Sequence, residues 1–150
     1  MIRRAPPSVA SDQGFTLLEL LLALSIAALA AAVVVPRVSG VRDTALVETA
    51  ARKLAAAAMA TRAASVRASE DRVLVIDLAA RRYWSDGVLG VTRLPPGLSI
   101  AVPRGGTFDH RALLRFRPDG SATEAEIRIR KGRRSSTISI DWLTGSARVS

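Results

Sequence analysis

The hydrophobic pattern divides the chain into three stretches with different periods. Residues 15–35 read FTLLELLLALSIAALAAAVVV, apolar on every side, with only Thr16, Glu19 and Ser25 polar and no Gly or Pro inside. A helix built from such a run has no polar face to offer water, so it predicts apolar surroundings. It would be roughly 32 Å long, about the hydrocarbon thickness of a bilayer. Pro36 ends the run. It removes one helical hydrogen bond and disfavours helical geometry at Val35, which predicts a kink or local break there.

Residues 41–68 are alanine-rich, again without Gly or Pro, and Leu46, Ala50, Leu54, Ala57, Thr61 and Ala64 recur at spacings of three and four. This spacing predicts an amphipathic helix with one face on a core. Glu48 and Arg52 make an i,i+4 pair on its solvated side, worth about 0.2–0.5 kcal/mol. The stripe is too small-sided for a dimerising seam, so the helix is expected to pack on its own domain.

From Arg72 the period falls to two. Strands are predicted over 73–78, 82–84, 88–94, 98–102, 113–116, 126–130, 137–142 and 147–149. Between them lie turns at 79–81, Ser85-Asp86-Gly87, Pro95-Pro96-Gly97, Pro118-Asp119-Gly120, Lys131-Gly132 and Thr144-Gly145. Gly105-Gly106 reads as a loop, because no helix start follows that could make it a phosphate cradle. In Ile127-Arg128-Ile129-Arg130 the isoleucines face one way and the arginines the other, as in a half-buried antiparallel strand. The expected fold class is α+β: a long N-terminal helix whose second half covers one face of an antiparallel β-sheet or small β-sandwich.

Composition narrows the chemistry. The chain has no cysteine and one histidine, His110, which excludes disulfides, thiol catalysis and the usual zinc sites; no metal or other cofactor is expected. Asp109 and His110 near Thr107 have no nucleophile elbow, phosphate loop or paired carboxylate beside them, so the chain is not expected to be an enzyme. Asp109, Asp119 and Asp141 stand apart in sequence and are expected to cap turns. Twenty-two basic against 13 acidic residues give a net charge of +9. Such a charge suits an anionic surface or nucleic acid. The densest cluster is Arg128, Arg130, Lys131, Arg133 and Arg134 across a predicted hairpin, with Arg81 and Arg82 as a second pair.

Glu19 decides among uses of the apolar run. A secretory signal cut after Ala30 to Ala32 would release Val33 onward, but an acid inside its apolar region is foreign to such signals. A plain anchor gives Glu19 only a cost, a few kcal/mol at the bilayer centre on insertion scales. Gly14-Phe15-Thr16-Leu17-Leu18-Glu19 resembles the cleavage and methylation site of type IV prepilins and type II secretion pseudopilins. The resemblance implies that a prepilin peptidase cuts between Gly14 and Phe15 on the cytoplasmic side and N-methylates Phe15. Glu19 then becomes the fifth mature residue, an acid able to meet the new amine of a neighbouring helix in a filament. An ion pair of this kind disfavours registers that leave either charge unpaired.

The closing run FRPDGSATEAEIRIRKGRRSSTISIDWLTGSARV resembles the end of the GspH class of minor pseudopilins, in the wider GspH/FimT family. The acidic calcium-binding loop of major pseudopilins has no counterpart here. The resemblance implies a type IV pilin-like fold in four parts: leader 1–14, membrane and filament-core helix 15–36, helix 37–68 continuing into the globular domain, and periplasmic β domain 69–150. It implies a single-pass inner-membrane protein, cytoplasmic at its N-terminus, that assembles near the tip of a pseudopilus. Its partners would be the prepilin peptidase, the minor pseudopilins I, J and K, and the major pseudopilin G. Type IV pilus minor pilins of the FimT/FimU type are the alternative, some of which take up DNA through a Gly-Arg-x-Arg element. Here Ser135 follows Gly132-Arg133-Arg134, so the second arginine of that element is out of place.

Overall fold

The structure, a computed structural model, describes residues 16–86 and 88–150, with the side chains at 33–41, 88, 89 and 108 outside the description. It begins with one long helix, α1 (Leu17–Ala68). Thr16 starts it as an N-cap: its Oγ1 accepts the Glu19 N–H at 3.2 Å, and its carbonyl accepts the Leu20 N–H at 3.1 Å. The chain divides into two compact units, one ending at Ser39 and the other running Gly40–Ser150.

Of the kink or local break expected at Pro36, the break does not appear: helical backbone continues through it. Proline removes a single i→i−4 bond and can bend a helix without ending it, while the turns on either side keep their own bonds. The proposed division of the helix at 36/37 is therefore not a division of secondary structure.

Within the Gly40–Ser150 unit, α1 buries Val47, Ala50, Ala51, Leu54, Ala55, Ala58, Thr61, Ala64 and Ser65. The arc is wider than the sequence stripe, and Leu46 and Ala57 fall at its half-buried margin. The reason lies in what α1 packs against, which is two sheets. Nine strands follow it: β1 (Arg72–Asp77), β2 (Arg82–Ser85), β3 (Val88–Arg93), β4 (Ser99–Arg104), β5 (Thr107–Phe108), β6 (Arg111–Phe116), β7 (Ala125–Lys131), β8 (Arg134–Ile140) and β9 (Ala147–Val149). They form a five-stranded sheet in the order β3-β2-β1-β6-β5 and a four-stranded sheet in the order β4-β7-β8-β9. Every pairing is antiparallel.

Leu74, Ile76, Leu114 and Phe116 of the first sheet, and Ile127, Ile129, Ile138 and Ile140 of the second, share one buried cluster with Val47, Leu54 and the helix alanines. Polar side chains of α1 bolt it to the strands. Thr61 Oγ1 lies 2.8 Å from Ser85 Oγ, Ser65 Oγ lies 3.0 Å from the Phe116 carbonyl, and the Arg62 Nε–H donates to the Gly120 carbonyl at 3.0 Å. The turns at Gly120 and Gly145 meet over Arg62. A Cβ on Gly145 would collide with the Gly120 carbonyl oxygen and lie 2.9 Å from Arg62 Cδ, so only glycine closes this junction.

Two strand expectations are corrected. The loop read around Gly105-Gly106, between the strands expected at 98–102 and 113–116, gives way to β5, which pairs with β6 through a two-residue turn of Asp109 and His110, both left-handed at φ 48° and 58°. The strand expected to reach Trp142 stops at Ile140. There the Asp141 carboxylate accepts the N–H groups of Leu143 at 3.1 Å and Thr144 at 2.8 Å, which turns the chain out of the sheet.

Candidate functional site

Gly14 and Phe15, the predicted cleavage pair and methylation site, lie outside the described residues. Immediately after them, the first turns of α1 present apolar surface in every direction. Leu17 is 80% exposed, Leu29 is 71% exposed, and Leu18, Leu20, Leu21, Leu22, Leu24 and Ile26 are all exposed as well. Glu19 is exposed among them and forms no ion pair among the described residues. A helix packed on its own domain hides such side chains, and among the described residues nothing covers these. Among the described residues, no helix is long and apolar enough to cross a membrane. The described side chains stop at Ala32, ahead of Val33, Val34 and Val35, which complete the run in sequence.

The basic cluster does form a hairpin, but its members differ in surroundings. β7 and β8 pair from Ala125↔Ile140 to Lys131↔Arg134, with Gly132 and Arg133 at the turn. Ile127 and Ile129 point into the core while Arg128 and Arg130 stand exposed on the outer face. Arg128 is neutralised by Glu126 at 2.8 Å, and Lys131 turns to Asp43 of α1 at 2.9 Å. Arg130, Arg133 and Arg134 have no acidic partner among the described residues. Arg134 faces α1, where it lines a small cavity with Thr44, Val47, Glu48 and Ser150.

Arg82 of the second basic pair belongs to a row across the first sheet. Asp77 stands opposite both Arg82 and Arg111, and Arg82 stands opposite Arg93. The Asp77 carboxyl is held below its ordinary value chiefly by the Ala80 N–H at 2.7 Å, with Arg82 and Arg111 adding to this against the opposing cost of burial. Beside this row run Val91, Trp84, Val75 and Leu113, with the Arg82 guanidinium 5.5 Å from the Trp84 ring centre. Sequence reading did not group these residues, because their neighbourhood exists only across strand pairings.

Asp119 and Asp141 cap turns as expected: Asp119 accepts the Ser121 N–H at 2.9 Å and its hydroxyl at 2.6 Å. Asp109 and His110 are exposed turn residues with no third group converging on them. Among the described residues, no group of three His, Asp or Glu side chains is placed to hold a metal.

Residues 10–35 match the family model described as the prokaryotic N-terminal methylation motif. The Gly40–Ser150 architecture has solved counterparts. The minor pseudopilin EpsH from the type 2 secretion system of Vibrio cholerae matches with a TM-score of 0.56 at 15% identity, covering 69% of this chain and 94% of that one. The chain has a type IV pilin-like fold behind a methylation motif. The type IV minor pilin FimU of Pseudomonas aeruginosa matches with a TM-score of 0.51 at 17% identity, covering 69% of this chain and 91% of that one. A comparison with curated protein sequences gave no match. Both structural counterparts are pilin-like subunits, and the chain shares with them the α+β arrangement expected from its sequence.

Proposed function

We propose that the chain is a minor pseudopilin of the H class, a structural subunit of a type II secretion pseudopilus and not an enzyme. The observation that carries this reading is the pairing of an internally packed pilin-like domain with a helical segment whose described apolar side chains, from Leu17 to Ala32, are all exposed. A methylation motif over residues 10–35 supports the reading in which the segment would follow a prepilin cleavage site and stay on the mature protein. Before assembly the helix would sit in the inner membrane with the β domain in the periplasm. After assembly it would join the filament core, where Glu19 meets the amine of a neighbouring subunit. The prepilin peptidase and the other pseudopilins, I, J, K and G, are the expected partners.

A second reading, a type IV pilus minor pilin, is supported by the likeness to FimU and by the free arginines of the β7–β8 hairpin. Both readings require the same maturation. Mass spectrometry of the protein from membranes with active prepilin peptidase is expected to give a chain starting at N-methylated Phe15. A start at Val33 would refute both. In the same cells, Glu19→Ala is expected to leave the cut in place and to lower co-purification with the other pseudopilins. Loss of pilus assembly with secretion intact would favour the pilin reading.

A further inference from the structure

Positive charge is not spread evenly over the Gly40–Ser150 unit. The 2.9 Å contact between Lys131 Nζ and Asp43 Oδ1 fixes the β7–β8 turn beside the point where α1 enters the unit. Arg42, Arg133 and Arg134 are gathered there, all exposed and none in an ion pair among the described residues. Lys131 already occupies Asp43, and although Glu48 shares a small cavity with Arg134, none of the three guanidinium groups is within ion-pair distance of an acid among the described residues. The far end of α1 differs. Glu70 pairs with Arg72 at 3.0 Å and Asp71 with Arg115 at 3.3 Å, which leaves Arg67 of the last turn as a single exposed cation there without an ion pair among the described residues.

We propose that the end carrying Arg42, Arg133 and Arg134 rests on the anionic phospholipid headgroups of the bilayer that holds the apolar helix. The inference builds on the reading that residues 15–35 are membrane-held before assembly. Arg42 comes only seven residues after Val35 in the chain, at most about 25 Å of backbone from the surface where the apolar run ends. Guanidinium groups suit the role because each offers a planar fork of donors to phosphate oxygens. Nucleic acid offers the same oxygens, but a duplex bound at this end would compete for space with the bilayer into which the chain continues. Contact with headgroups would hold the domain close to the membrane until the subunit is drawn into a filament.

The chain has no cysteine, so single labels can be placed cleanly. The full chain is reconstituted in nanodiscs containing phosphatidylglycerol and a headgroup-linked quencher, with a fluorophore on Ser135→Cys, Ala68→Cys or Ser25→Cys. Ala68 is exposed at the far end of α1, about 39 Å along the helix from Arg42, and serves as the distant reference. The label at 135 is expected to be quenched and the label at 68 not. Quenching at 135 should vanish in phosphatidylcholine alone. It should also weaken with salt, and Arg133→Gln with Arg134→Gln should lower the docking constant about 30-fold, roughly fivefold per arginine.

A label at 25 that reports insertion, together with an unquenched label at 135, overturns the inference and leaves the anchor standing. A label at 25 that stays in water overturns the anchor reading and the inference with it. Retardation of duplex DNA that depends on Arg133 and Arg134, with no lipid quenching at 135, overturns the inference in favour of nucleic acid.

Discussion

At the scale of single residues, Gly145 is where the backbone has least room. Its φ of +61° disfavours any side chain, and an added Cβ would meet both the Gly120 carbonyl and Arg62. Left-handed strain and overpacking together should make Gly145→Ala cost about 2–4 kcal/mol in urea unfolding. Gly106→Ala, with nothing within 4 Å of the added carbon, should stay within about 0.5 kcal/mol. Asp77 illustrates a charge effect at the same scale. Its carboxyl is depressed below 3.8 in the folded protein, so its contribution is fully present above that pH and is lost as pH falls through the folded value. Asp119 and Asp141 are shifted in the same direction by their turn hydrogen bonds. The unfolding midpoint is expected to drop as pH falls below about 4, and Asp77→Asn to make that drop smaller.

At the scale of elements, α1 is one helix with two kinds of neighbour. Leu54 is fully buried among residues of the core cluster, whereas Leu21 is 56% exposed. Leu54→Ala should therefore cost about 2–5 kcal/mol of domain stability. Leu21→Ala should leave domain stability within about 0.5 kcal/mol, because nothing among the described residues packs over it. Equal losses in the two variants would mean that the apolar segment has partners within the chain. The strands divide in a similar way. β7 alternates strictly between buried isoleucines and exposed arginines, while the turn after β8 holds Trp142 and Leu143 out in solvent at 59% and 63% exposure.

At the scale of the whole molecule, the buried core among the described residues belongs to the Gly40–Ser150 unit. Its helix residues begin at Val47, and the strands supply the rest. A chain starting at Gly40 is accordingly expected to fold alone, in one cooperative urea transition with a midpoint close to that of the detergent-solubilised full chain. A fragment without a cooperative transition would show that the apolar helix contributes to the core. Division of labour of this kind suits a subunit that moves from bilayer to filament: the environment of the helix can change while the domain keeps its packing.

What the sequence determined by itself was whatever depends on near neighbours. The end of α1 at Ala68, the turns at Gly120 and Gly145, the Ile/Arg alternation of β7 and the Gly14 to Glu19 motif are all written in spacings of a few residues, because helical and strand periods and left-handed turns are local properties. Only the tertiary structure decided the order of the strands, their separation into two sheets and the presence of the short β5, since these depend on which segments of distant sequence can share a core. It also decided what the basic cluster amounts to. Charge can be counted along a chain, but neutralisation requires an acid within a few ångströms. Asp43 reaches Lys131 only because α1 and the β7–β8 hairpin meet in space, and that meeting leaves Arg133 and Arg134 without an ion pair among the described residues.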